Sequence, residues 1–470
     1  MVVSLGERLQ GFWERFRGCF KTRTRDGSGY AYHYLSGQLR MKTGRHFAGI
    51  SREAEVSEQN LQHFMTCSPW SGAAVCRTVQ EELKGTVGLA HGGVLVVDES
   101  ADEKAGEGSV GAGRQYNGRL GKVEMSQVAV LLSYVNLTLP QGLWSWIDGE
   151  LFLPKAWFEA DQAARRQRLG LPKDLTFATK VELAWKLIQR ARDQKLPFEM
   201  VAMDCLYGRS GWLRGQMRQA GIVYMAEAPA DTHVYLTRPE LGISPRRSTR
   251  GRTPTQVKVL AGEAVTVARL GQQAAGQEMR VRATDRGELR DRFAACRVWT
   301  VHAGQATEEW LVLRREANGH TTYALSNAAV TTDLTSLAWG KCQRYFIERS
   351  NQDAKSEFGW DELQAQKYRA WEHHLALTVL ASWFVAQTKY EWAQSYPRDP
   401  ELLAHWKTEV LPALSVANFR ELLRAVMPLK RLSVTEATDL VIKHLTNRTR
   451  SRRSRLKKQR LIKEAAYGAT

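Results

Sequence analysis

Two short apolar runs, each closed by an aspartate, constrain this chain more than any other feature. They are Gly92-Gly-Val-Leu-Val-Val-Asp98 and Phe198-Glu-Met-Val-Ala-Met-Asp204. Brief runs of this composition read as buried strands. A carboxylate ending an apolar strand is costly to bury and is kept where it has work to do. The plainer reading is an Asp that opens a turn or caps the next helix. Gln127 to Val135 is a further apolar run, and Leu143 to Leu153 alternates. Asp161 to Arg168, Ala178 to Gln194 and Trp212 to Ala220 read as helices, and Gly221 to Glu227 as a strand. The chain is therefore α/β, in the order strand, strand, strand, helix, strand, helix, strand.

Three antiparallel strands followed by parallel strands with helical crossovers make the ribonuclease-H-like arrangement. There, acids at the ends of the first and fourth strands lie side by side, and Asp98 and Asp204 hold those two places. A third acid is expected on Arg344-Tyr-Phe-Ile-Glu348-Arg-Ser-Asn-Gln-Asp-Ala-Lys355, which lacks Pro and Gly and reads as a helix. Helical spacing puts Glu348 on one face with Arg344 and Lys355. The bland alternative is a solvated face with i,i+4 pairing. Glu357 falls on the opposite face and Asp353 well round the helix, while Gly359 ends it.

Net charge is +18 and the pI near 9.7, which points to an anionic polymer, by default nucleic acid. Six cysteines, at 19, 67, 76, 205, 296 and 342, form no C-x-x-C pair. That speaks against a zinc site or a disulfide framework. The first residues lack the apolar core of a signal peptide, and His374 to Ala386 is too short to cross a bilayer. The expectation is a cytoplasmic, nucleoid-associated protein without a membrane contact. Gly106 to Gly111 matches G-x-G-x-x-G but lies past its strand, and the following Ala-Gly-Arg-Gln-Tyr-Asn-Gly opens no helix. Gly121-Lys122 makes no P-loop, so a flexible turn between strands is expected for this segment.

Residues 1–88 read as helical. Thr43 to Phe64 suggests a helix-turn-helix, with Ser57 capping a second helix near 58–66 and Arg45, Arg52 and His63 around it. Residues 229–336 hold a basic loop, Pro245 to Arg252, among short strands at 256–260, 264–270, 279–283, 297–301, 309–314 and 321–326. Trp299 and Trp310 are core residues or base-stacking platforms. His373-His374 has no ligand partners at metal spacing and reads as structural. Arg448, Arg450, Arg452 and Arg453 open a basic stretch to Arg460, expected to be disordered by itself and to grip a DNA backbone.

With Asp98, Asp204 and Glu348 in place, the chain resembles DDE transposases of bacterial insertion sequences, in the cut-and-paste branch with a Tyr-x2-Arg-x3-Glu-x6-Lys signature. Arg344-x3-Glu348-x6-Lys355 fits it, while Lys341 stands where the tyrosine belongs. Ser109 to Lys122, Asp204-Cys-Leu-Tyr-Gly208 and Lys355-Ser-Glu-Phe-Gly-Trp-Asp361 also resemble one subgroup. Asp98-Glu-Ser replaces the usual Asp-Asp-Thr-Gly. The resemblance implies a helical DNA-binding domain (1–88), a ribonuclease-H-like core (89–228 and 337–395), a β-rich insertion (229–336) and a helical C-terminal region with a basic tail (396–470). Double-stranded DNA is the implied partner, as terminal inverted repeats and target, with a homodimer in the synaptic complex. Asp98, Asp204 and Glu348 would hold two Mg²⁺, with Mn²⁺ able to substitute. Arg344, Lys355, Arg114, Lys122, the tail arginines and Trp299 would bind DNA, and the family also uses a hairpin intermediate. A ribonuclease-H-like nuclease or resolvase, and a non-catalytic DNA-binding derivative, are the alternatives.

Overall fold

A computed structural model describes residues 4–118, 120–139, 141–245, 254–284, 287–395, 400–407, 409 and 413–467. It is mixed α/β with a large mixed sheet. Residues 1–426 form one unit and 427–470 another.

The first unit begins with α1 (Leu5–Phe16), α2 (Ser28–Arg40), α3 (Phe47–Glu53), α4 (Glu58–Thr66) and α5 (Gly72–Gly85). The Ser57 hydroxyl accepts the Asn60 amide and fixes the start of α4 where the sequence places it. Four strands follow: β1 (Gly93–Glu103), β2 (Gly113–Asn117), β3 (Lys122–Asn136) and β4 (Leu143–Phe152). Next come α6 (Ala163–Leu169), α7 (Lys180–Asp193), β5 (Met200–Met203), α8 (Cys205–Gly208), α9 (Gly211–Gln219) and β6 (Tyr224–Ala228). β4, β3 and β1 pair antiparallel, whereas β1, β5 and β6 pair parallel.

Asp98 does not end its strand. β1 runs on to Glu103 because the long β3 supplies partners as far as Ser126. The neighbour that stops is β5, whose last pair is Val97↔Met203.

The β-rich stretch holds β7 (His233–Tyr235), β8 (Glu240–Ile243), β9 (Val257–Ala261), β10 (Ala264–Thr266), α10 (Val267–Gln273), β11 (Gln277–Thr284), β12 (Gly287–His302), β13 (Gln305–Arg315) and β14 (Thr321–Ser326). The expected strand at 264–270 stops after three residues. Thr266 accepts the Arg269 amide and caps α10, whose Val267 and Gly271 are buried. β14 pairs with β6, so these strands extend the central sheet, and only β8 and β9 stand apart from it among the described residues. Residues 246–252 of the basic loop lie outside the described residues.

α11 (Leu334–Cys342), α12 (Tyr345–Ser356), α13 (Tyr368–Ser395), α14 (Pro400–Trp406) and α15 (Val416–Val426) complete the unit. Leu337 of α11 and Ile347 of α12 share one apolar cluster with Val94, Val96, Ala202 and Met225 of the sheet. α13 packs on β4 and on α2, α4 and α5. Its His373 contacts the Met65 and Trp70 carbonyls, and its His374 lies between the Tyr34 hydroxyl and the Trp360 carbonyl. Burial pushes both imidazoles down to about 4, so the pair is structural. No described helix is long and apolar enough to cross a membrane.

In the second unit, α16 (Val434–Tyr467) carries the basic stretch as one helix. Ser433 and Glu436 form a reciprocal cap, and no Gly or Pro interrupts a run rich in good helix formers.

Arg45 is only 3% exposed, so it does not serve the helix-turn-helix surface. Its Nε donates to Glu362 at 2.8 Å, and its guanidinium also reaches the carbonyls of Lys42, Ser356 and Glu357. Gly359, at φ +69°, gives it room, since a Cβ there would sit 2.6 Å from the Arg45 Nε. Arg45→Met should lower unfolding free energy by roughly 3 kcal/mol, because it leaves Glu362 only the backbone amide of residue 45 and takes the guanidinium from three carbonyls. Chemical denaturation checks this, and a change under about 1 kcal/mol would mean the network carries little.

Candidate active site

The Val97↔Met203 pair sets the site, because Asp98 and Asp204 are the next residue on each of two parallel neighbours. Asp98 Oδ1 accepts the Glu99 amide at 2.7 Å. Asp204 caps α8, and its Oδ1 accepts the Leu206 and Tyr207 amides. Burial, and then the Asp204 charge, push the Asp98 carboxyl up to about 8. Burial also raises Asp204, against the Tyr207 amide and Arg344.

α12 brings the third acid. Ile347, Ser350, Asp353 and Ala354 face inward, which leaves Glu348 toward a cleft. Two indoles from β4 brace that rotation: Trp144 donates to Asp353 Oδ2 at 2.9 Å, and Trp146 to Asn351 Oδ1 at 3.0 Å. The cleft, of about 840 Å³, is lined by Asp98, Asp204, Glu348, Arg344 and Lys355 together. Glu99, Tyr116, Asn351, Gln352 and Asp361 line it as well.

The cations are already engaged. Arg344 reaches Glu348 at 2.8 Å and Glu227 at 3.1 Å. Burial pulls the Arg344 guanidinium down, but Glu227, Glu348 and Asp98 together raise it further. Lys355 donates to the Ala101 carbonyl at 2.9 Å. Lys341, at the signature-tyrosine position, is buried 3.6 Å from Glu227, and that burial lowers its pKa.

Other expected residues fall elsewhere. Arg114 and Lys122 are exposed on the β2–β3 hairpin, Lys122 paired with Glu124 at 3.3 Å. Trp299 is half-buried on β12 under the Arg238 guanidinium, 5.5 Å from its ring. Arg448, Arg450, Arg452 and Arg453 are exposed on α16 in the second unit. Glu357 is bound by Arg420 at 2.6 Å, away from the site. Asp361 is an addition, since the left-handed turn at Gly359 carries it back into the cleft.

Among the described residues no three acidic, His or Cys side chains are gathered as a metal site, Glu348 being held by Arg344. The donors still suit a hard divalent cation, because carboxylates are its preferred ligands. Asp98 and Asp204 also repel each other in a way such a cation would relieve.

A model of the DDE superfamily endonucleases matches residues 15–294. The chain therefore belongs to that superfamily. The matched span includes Asp98 and Asp204 and ends before Glu348. A stretch of 157 residues is 31% identical to a probable transposase for insertion sequence element IS701 of Microchaete diplosiphon. It covers 33% of this chain and only 36% of that relative's length.

Because the folded Asp98 holds its proton up to about pH 8 and an unfolded one only to about 3.8, folding retains protons across that window. The Asp98 contribution to stability should therefore be fully present below about pH 4 and lost as pH rises through 8. Without divalent cation, Asp98→Asn should melt higher than the wild type at pH 8 and about equally at pH 4. Mg²⁺ or Mn²⁺ should raise the wild-type Tm more at pH 8 than at pH 5. Equal cation shifts at both pH values would rule out Asp98 as a cation ligand.

Proposed function

We propose that this protein is the transposase of a bacterial insertion sequence, cutting DNA at the element's terminal inverted repeats and joining the freed 3′-hydroxyl to target DNA. The observation that carries the reading is the single cleft in which Asp98, Asp204 and Glu348 meet Arg344 and Lys355. The sheet order β4-β3-β1-β5-β6 supports a ribonuclease-H-like core. The name of the IS701 relative supports the transposase assignment. Residues 1–88, 229–336 and 396–470 are read as the DNA-binding, insertion and C-terminal parts of this design, and a homodimer as its working form.

Asp98, Asp204 and Glu348 would hold two Mg²⁺, which when bound would supply an activated water and stabilise the leaving oxygen. The chain's own residues do the positioning. Arg344 would exchange Glu348 for a phosphate oxygen while Glu227 keeps its Nε, and Lys355 would hold a second phosphate. A hairpin intermediate, with Trp299 stacking on a displaced base, fits an aromatic that is only half-buried. α4 exposes Gln59, Asn60, Gln62 and His63, side chains suited to base edges.

Glu348→Gln should abolish Mg²⁺-dependent nicking of a terminal-repeat duplex and leave its binding intact, as should Asp98→Asn and Asp204→Asn. Glu357→Gln should still cut. The reverse pattern for the two glutamates would remove the site assignment.

Binding titrated against salt separates the two DNA contacts. Asn60→Ala with His63→Ala should erase the preference for the repeats and keep non-specific binding. Truncation after Thr446 should weaken binding to any duplex and flatten the plot of log K against log salt, by about 0.9 per lost phosphate contact. An unchanged slope would show an idle tail.

A further inference from the structure

The cleft has one wall that the cleavage chemistry leaves unused. Tyr116 is 57% exposed and lines it together with Gly118. The ring is firmly mounted. Its neighbours Gln115 and Asn117 turn inward, where Gln115 donates to the Gly111 and Ser126 carbonyls and Asn117 to the Ser126 hydroxyl. Alternation along β2 then leaves Arg114 and Tyr116 on the solvent face. Opposite Tyr116 in the ladder stands Val123, also exposed.

α12 contributes Asn351 and Gln352 to the same cleft, three and four residues beyond Glu348 and so on its face. Both amide oxygens accept a hydrogen bond. Asn351 Oδ1 accepts the indole N–H of the fully buried Trp146 at 3.0 Å. Gln352 Oε1 accepts from Arg349 at 2.8 Å. Each carbonyl end is therefore occupied by a donor, and each amide has its NH₂ end left to offer.

We propose that Tyr116, Asn351 and Gln352 form a nucleobase subsite that takes one unpaired base of the strand bound in the cleft. This rests on the reading of the cleft as a DNA-cleaving site. The ring supplies a stacking platform, which an unpaired base of any identity can use. The amides supply donors only, so they match bases with an exocyclic carbonyl oxygen, namely thymine, cytosine and guanine. Adenine's acceptors N1 and N7 each flank its own amino group, whose N–H would face the second amide donor. The subsite thus adds a base preference beside the cut, separate from repeat recognition by α4 and from stacking on Trp299.

The test uses the full chain, Mg²⁺ and terminal-repeat duplexes carrying each of the four bases in turn at the nucleotides flanking the cut. At one flanking nucleotide, adenine should slow nicking relative to the other three bases. Tyr116→Ala should nick paired duplex roughly 10- to 100-fold more slowly, and Tyr116→Phe at close to the wild-type rate. A mismatch that unpairs this nucleotide beforehand should restore much of the Tyr116→Ala rate, which a merely misfolded hairpin would not allow. Asn351→Ala with Gln352→Ala should flatten the base preference. Nicking by Tyr116→Ala at the wild-type rate, or equal rates for all four bases, overturns the subsite, the latter meaning that the amides hold phosphate. Absence of any Asp98-dependent nicking by the wild type overturns the cleavage reading itself.

Discussion

The parallel pairing of Val97 with Met203 is the constraint on which the rest of the site depends. It puts two carboxylates side by side at the point where β5 stops and β1 continues. Two such groups in a desolvated place cannot both ionise cheaply. The fold tolerates this through amides at Asp98 and Asp204 and through the nearby Arg344. The cost that remains is the kind a bound divalent cation would remove.

The third acid arrives by a different route. α12 is anchored by Ile347 in the sheet core, by two β4 indoles on its inner face and by Arg45 past its C-terminal end. Charges then alternate along a line: Lys341, Glu227, Arg344, Glu348. Lys341 is sunk in the protein at the start of that line, and Glu348, 51% exposed, ends it in the cleft. Removing any inner member leaves its neighbour without a counter-charge, so Lys341 belongs to the electrostatics of the site.

The parts legible in the sequence were those set by local pattern. Strand composition located Asp98 and Asp204, helical spacing put Glu348 on the face of Arg344, and Ser57 marked the start of α4. The parts that escaped depend on partners distant in the chain. β1 outruns its apolar stretch because β3 is long enough to pair with it. Arg45 looked like a surface cation, and only the return of the chain at Gly359 buries it against Glu362. Val267 to Gln273 alternates like a strand, yet the Thr266 cap and the burial of Val267 and Gly271 make it helical. Asp361 lies past a helix end, and no periodicity carries it into the cleft. Tyr116 lies in the Ser109 to Lys122 stretch that carries part of the resemblance, but that stretch read as a turn, and only the pairing of β2 with β3 sets the ring on the solvent face.

The sheet has a mechanical consequence. From β12 through β13 and β14 to β6 and β5, every step is a hydrogen-bonded ladder, and β5 leads directly into Asp204. A flexible tether would let the 229–336 stretch swing while the carboxylates stayed still. A continuous ladder cannot, because tilting its far strands twists the near ones. A load applied to β12 therefore has an unbroken hydrogen-bonded path to the strand that carries Asp204, and the aspartate pair is not mechanically isolated from the distant strands.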